Sequence, residues 1–138
     1  MSNYIEISSD LLFLIVDEGP TFREALSSAL RTLGYKRVLT SSDGMGALEL
    51  LKTEPVGFII CERNLKQVSG MELLKEIREN PEFQRVPFMM MGSDFQKEDV
   101  FLGAEFGIDG FLKKPFVLKD VTSRISASIQ RYQDTASN

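Results

Sequence analysis

Unbroken apolar runs alternate along this chain with longer segments in which apolar residues recur every three or four positions. Leu11 to Val16, Val56 to Cys61 and Val86 to Met91 are the runs, and they stop at Asp17-Glu18-Gly19-Pro20, Glu62-Arg63-Asn64 and Gly92-Ser93-Asp94. Runs of this length fit strands buried on both faces. Two shorter strands are expected around Val38-Leu39 and at Phe111-Leu112, the second ended by Lys113-Lys114-Pro115. Between them the period becomes helical. Phe22, Ala25, Leu26, Ala29, Leu30 and Leu33 mark a first helix, with Thr21 and Glu24 as a cap pair and Gly34 as its stop. Met45, Leu48, Leu50 and Leu51 mark a second, entered through Ser41-Ser42-Asp43-Gly44 and ended near Pro55. Met71, Leu73, Leu74 and Ile77 follow Gly70 and stop at Asn80-Pro81; a fourth helix is expected from about residue 95 to 106. Val117, Val121, Ile125 and Ile129 carry the last.

Five strands alternating with five helices through short turns predict an α/β fold, a doubly wound parallel sheet with helices on both faces. The expected division is an N-terminal extension at 1–10, one domain at 11–131 and a polar tail at 132–138. In such sheets function gathers beyond the carboxyl ends of the strands. The segments that matter are therefore the strand exits, and these collect Asp17, Glu18, Glu62 and Lys114 at one rim. Clustered acids repel one another unless a divalent cation or a lysine offsets them. The plainer alternative is that acids at strand ends are solvated and favour the helix N-termini that follow.

Composition narrows the field. With 43% hydrophobic and 26% charged residues the chain is an ordinary globular one. Its net charge of -4 gives no general pull towards nucleic acid or anionic membrane. The single cysteine, Cys61, excludes a disulfide framework and a thiolate cluster, and it is expected as a buried, inert thiol. The absence of histidine excludes imidazole acid–base chemistry. Met89, Met90 and Met91 read as core filler within a strand, not as a soft metal site. No basic leader opens the sequence, and no apolar run approaches the ~20 residues that span a bilayer, so a cytoplasmic protein is expected.

Asp17-Glu18, Glu62 with Asn64 two residues on, Gly70, the Asp109-Gly110-Phe111-Leu112 segment and Lys114-Pro115-Phe116 together resemble the receiver domain of two-component response regulators. Single-domain chemotaxis regulators are the most similar in length, and the resemblance runs from about Leu11 to Ile129. It implies a flavodoxin-like (βα)5 fold with strand order 2-1-3-4-5. It also implies an aspartate ending the third strand that takes a phosphoryl group from a histidine kinase, Mg²⁺ held by the acid pair, a lysine on the phosphoryl oxygens, and a serine or threonine after the fourth strand. Asp17, Glu18 and Lys114 match their positions, and Asn64 matches the one whose carbonyl ligates the metal.

Two positions depart from that pattern: Glu62 stands where the acceptor aspartate is expected, and Gly92 where the hydroxyl is expected. Lys66 also replaces a usual proline, and Ser69 a usual aspartate. Glutamate carries its carboxylate on the order of 1 Å further than aspartate, and in-line transfer tolerates little misplacement. Gly92 cannot sense a phosphoryl group, so the family's coupling to the aromatic of the fifth strand, Phe111, loses its first link; Ser93 points to the opposite face. The expectation is an atypical receiver, a protein-interaction module in two-component or chemotaxis-type signalling that works without aspartyl phosphorylation, as a monomer or weak dimer and not as an enzyme.

A weak Mg²⁺ site at Asp17, Glu18, Glu62 and Asn64 is the second expectation. A small enzyme or cofactor binder on the same fold is the third, although Asp17-Glu18-Gly19-Pro20 repels the phosphate of a flavin and Gly19 stands where a phosphohydrolase needs an acid. The resemblance places the partner surface on the fourth helix, fifth strand and fifth helix, with Lys97, Val100, Phe101, Phe111, Lys113 and Leu118 as candidates. Phe101 and Leu118 fit equally well as core residues at helical spacing.

Overall fold

The computed structural model describes residues 10–137, with side chains described through residue 130. Of the extension expected at 1–10, residues 1–9 lie outside the described residues. The elements are β1 (Leu12–Val16), α1 (Pro20–Thr32), β2 (Arg37–Ser41), α2 (Gly44–Thr53), β3 (Phe58–Glu62), α3 (Gly70–Glu79), β4 (Phe88–Gly92), α4 (Lys97–Glu105), β5 (Gly110–Lys113) and α5 (Leu118–Ser137). All strand pairs are parallel and the order is β2-β1-β3-β4-β5, as expected.

The apolar runs form the three central strands because only these are covered on both faces. Strand alternation divides their side chains. Leu14, Val16, Ile59, Cys61 and Met90 pack with Ala47, Leu51, Leu73, Leu74 and Ile77 of α2 and α3. Phe13, Ile15, Ile60, Met89 and Met91 pack with Leu26, Leu30, Val121, Ile125 and Ile129 of α1 and α5. The three methionines are fully buried, which settles them as core.

Helix boundaries depart from the sequence reading where backbone geometry decides them. Thr21 does not cap α1. Gly19 is the N-cap without a side-chain bond, and Pro20 opens the helix, where its missing N–H would be unpaired in any case. Asp43 caps α2 by accepting from the Gly46 N–H at 2.7 Å. Val117 precedes α5 and is exposed, and Met45 on α2 is exposed too, so neither belongs to the core. The last helix continues to Ser137, so the backbone at 132–137 is helical where a polar tail was expected.

Candidate functional site

Parallel register brings the strand exits level. Val16 lies opposite Cys61, Glu62 opposite Met91, and Gly92 opposite Lys113. The next residue of β1 is thus Asp17, and the next of β5 is Lys114, at the same rim as Glu62. The ladder continues one step beyond the strands, with the Arg63 N–H donating to Met91 O at 2.7 Å and the Lys114 N–H to Gly92 O at 2.8 Å.

Lys114 joins the two acids. Its Nζ donates to Asp17 Oδ2 at 2.7 Å and to Glu62 Oε1 at 2.6 Å, and it lies 3.9 Å from the centre of the Phe22 ring. The ammonium has three N–H directions; two meet carboxylates and an aromatic face covers another side. Phe22 is held in turn by Phe116 in an edge-to-face pair at 5.5 Å. Burial by itself lowers the affinity of Lys114 for its proton. The hydrogen bonds and charges of Asp17 and Glu62 outweigh this and hold its pKa above the ordinary value of 10.5.

Each acid is fixed by its own loop. Asp17 Oδ1 accepts from the Gly19 N–H at 2.8 Å, and the Asp17 carbonyl accepts from Arg23 Nη1 at 2.6 Å. Glu62 Oε2 accepts from the Asn64 N–H at 3.0 Å. Glu18 turns elsewhere. Its Oε1 accepts from the Lys66 N–H at 3.0 Å, and its Oε2 lies 3.7 Å from Lys66 Nζ. Lys66, the residue in place of a proline, supplies both contacts, and a proline would have no N–H to give. Cys61 is fully buried behind Glu62; burial first, then the charges of Glu62 and Asp17, raise its thiol well above 9.0.

The acids of this site are already engaged within the protein. Asp17 and Glu62 share a lysine, Glu18 is drawn to the loop at Lys66, and Asn64 contributes its N–H to Glu62. Among the described residues no group of three or more acidic, histidine or cysteine side chains is placed to hold a metal. Of the expected set, Asp17 and Glu62 are bonded to Lys114, Glu18 accepts from the Lys66 N–H, and Asn64 meets Glu62 through its own N–H.

The Gly92 position is crowded on one side. A Cβ built there would lie 3.2 Å from two ring atoms of Phe95 and 3.5 Å from Arg63 Cβ. Phe95 packs edge-on against Phe111 at 4.8 Å, and Ser93 is exposed. Arg63 bonds Asp99 Oδ2 through Nε at 2.8 Å, tying the exit of β3 to the first turn of α4. Sequence reasoning singled out neither Phe95, Arg63 nor Asp99. The one local signal was the spacing of Gln96 and Asp99, which form a reciprocal cap at the start of α4. Of the expected partner residues, Lys97, Val100, Phe101, Lys113 and Leu118 are exposed and Phe111 is half-buried; Phe101 at 70% and Leu118 at 40% exposure are not core residues.

The comparisons with known proteins agree with this fold. Residues 13–126 match the model of the response regulator receiver domain. The chemotaxis protein CheY-3 of Vibrio cholerae is 28% identical over 125 residues, covering 91% of this chain and 96% of that one. A putative response regulator from Chloroflexus aurantiacus superposes with a TM-score of 0.81 at 28% identity, covering 88% and 99% of the two chains. The receiver domain of a sensor histidine kinase from Pseudomonas aeruginosa, solved with a magnesium ion coordinated in its active-site cleft, has a TM-score of 0.75 at 26% identity, covering 91% and 98%. On the strength of the matched domain and this shared fold, the chain belongs to the response regulator receiver family.

Proposed function

We propose that the protein is an atypical receiver that acts in two-component or chemotaxis-type signalling by binding a protein partner, without aspartyl phosphorylation. The observation that carries this reading is the contact between Lys114 and Glu62 at 2.6 Å. In a receiver, the end of β3 is where a phosphoryl group would be accepted and Lys114 is the residue that would greet it. Here the longer carboxylate of Glu62 reaches the ammonium itself, so the pair is satisfied before any phosphoryl group arrives. Phe95 supports the reading from the other side, because its ring crowds the space beside position 92 and a side chain there would have to press it back by a few tenths of an ångström.

The partner docks on the face built from α4, β5 and α5. Val100 and Phe101 expose apolar surface there, and Lys97 and Lys113 are exposed too, whereas Val117 and Leu118 line a pocket with Phe22, Ala25 and Ala29 of α1. Exposed apolar residues clustered on one face mark interaction surfaces, whereas scattered ones carry no such meaning. The setting is the cytoplasm, where receivers meet their kinases and effectors; no described helix is long and apolar enough to cross a membrane. An enzyme or cofactor binder gains no feature from the site, where the acids are engaged by lysines. Mg²⁺ likewise has to displace Lys114 from Asp17 and Glu62 before it gains ligands, so only weak binding is expected.

Intact-mass measurement after incubation with a small-molecule phosphodonor and Mg²⁺ tests the proposal. The expected result is no covalent phosphoryl adduct on the wild-type protein and a hydroxylamine-labile one on Glu62→Asp. A stoichiometric, hydroxylamine-labile adduct on the wild type would overturn it. Pull-downs from the native cell with wild type, Glu62→Asp and Glu62→Gln would then identify the partner.

A further inference from the structure

Polar contacts run without a break from the acidic cluster to the first turn of α4. Lys114 Nζ donates to Glu62 Oε1 at 2.6 Å, and Glu62 Oε2 accepts from the Asn64 N–H at 3.0 Å. Asn64 Oδ1 accepts from Arg63 Nη1 at 3.2 Å, and Arg63 Nε meets Asp99 Oδ2 at 2.8 Å. Asp99 Oδ2 also accepts from the Gln96 N–H at 2.7 Å, which fixes where α4 begins. Val100 and Phe101, 55% and 70% exposed, follow Asp99 directly.

We propose that this relay, with Arg63 and Asp99 as its positioning residues, couples the state of Glu62 to the α4 face in place of a hydroxyl at position 92. The inference rests on the reading of the α4, β5 and α5 face as the partner surface. Three features support it. The Arg63–Asp99 pair is largely shielded, with side-chain exposures of 26% and 10%, so it is screened less than a surface pair. The guanidinium is a rigid fork whose donors reach two acceptors at once, Asn64 on the site side and Asp99 on the helix side. The Arg63 Cβ borders the space in front of Gly92, so the relay passes the position that lost its hydroxyl.

The chemistry of Glu62 makes the relay responsive. Its two oxygens each accept, one from Lys114 and one from Asn64. An amide in its place has one acceptor oxygen and one NH₂ donor, so Glu62→Gln cannot keep both bonds. The loss propagates because the groups between site and helix are bonded in series, and the double-variant cycle measures that coupling.

Backbone amide chemical shifts and hydrogen-exchange rates of residues 97–105 are the measurement, in a cycle of wild type, Glu62→Gln, Arg63→Gln and the double variant. Asp99→Asn, which keeps an acceptor for the Gln96 N–H, provides a second background at the helix end. Thermal melts confirm that each variant is folded. In the wild-type background Glu62→Gln should shift the α4 amides and speed their exchange. In the Arg63→Gln and Asp99→Asn backgrounds that response should fall by about half or more, while the local response at Asp17 and Lys114 persists. An equal α4 response in all backgrounds, or none in the wild type, overturns the relay. The partner-face reading fails differently: the cycle shows coupling, yet Val100→Ser with Phe101→Ser leaves retention of the cellular partner unchanged.

Discussion

Replacing Lys114 by methionine leaves Asp17, 4% exposed, beside Glu62 with no cation between them. Removing one member of a shielded ion pair costs more than the pair contributes, because the remaining charges stay desolvated. With Lys114 itself 21% exposed, the expected loss is about 2–3 kcal/mol near neutral pH, read by urea denaturation. The same substitution should strengthen Mg²⁺ binding, since it frees the two acids. Alkali weakens the same contacts in the wild type. Lys114 has a folded pKa above its ordinary 10.5, so its contribution is complete below that value and is lost as pH rises through the folded pKa. Cys61 adds to the alkaline loss from about pH 9 upwards, because its thiol is held neutral by burial in the native state while the unfolded thiol ionises. The native thiol should accordingly resist iodoacetamide at about pH 8 and react once the chain is unfolded in urea.

Among the elements, α3 shows how tightly the site loop is set. A Cβ on Gly70 would lie 2.5 Å from the Glu62 carbonyl oxygen and 3.0 Å from Arg63 Cα, both backbone atoms that cannot swing aside. Gly70→Ala should therefore shift the exit of β3 and cost about 2–4 kcal/mol, whereas Ser69→Ala, which removes the capping box with Glu72, should cost about 1 kcal/mol. Thermal melts of the two variants, with amide shifts at Glu62, separate these effects. The strands and Gly70 were legible because apolar runs and a helix-opening glycine are local signals. The Ser69-to-Glu72 spacing was legible in principle as a capping box. Arg63 to Asp99 and Glu18 to Lys66 were not, since each joins positions that meet only after the strands and their loops have packed; Phe95 is only three residues from Gly92, but nothing local says which way its ring turns. The acid pair of Asp17 and Glu18 carries no local signal of its lysines, and in the structure each acid meets a different one.

At the scale of the whole molecule, the parallel sheet puts the site and a structural hub at opposite ends. Beyond the C-terminal edge lie Asp17, Glu62 and Lys114. Towards the other edge, Arg78 at the end of α3 donates to the carbonyls of Gln84, Val86, Phe106 and Gly107, and Asp109 Oδ2 lies 3.3 Å from it while accepting from the Phe88 N–H. One guanidinium thus pins α3, the entry to β4 and the turn from α4 to β5. Its side chain is 15% exposed, and methionine at this position would take the guanidinium donors from those carbonyls and one of its partners from the Asp109 carboxylate. Arg78→Met should cost about 3 kcal/mol or more in urea denaturation. Since Arg78 touches neither the acidic cluster nor the exposed residues of α4, the folded variant should retain partner binding. The exposed face predicts the reverse. Val100 and Phe101 give up little on losing their apolar side chains to serine, within about 0.5 kcal/mol of wild-type stability. Retention of the cellular partner on immobilised protein should nevertheless fall. A variant set in which stability and partner binding drop together at both places would mean that the α4 surface contributes to the fold instead of to recognition.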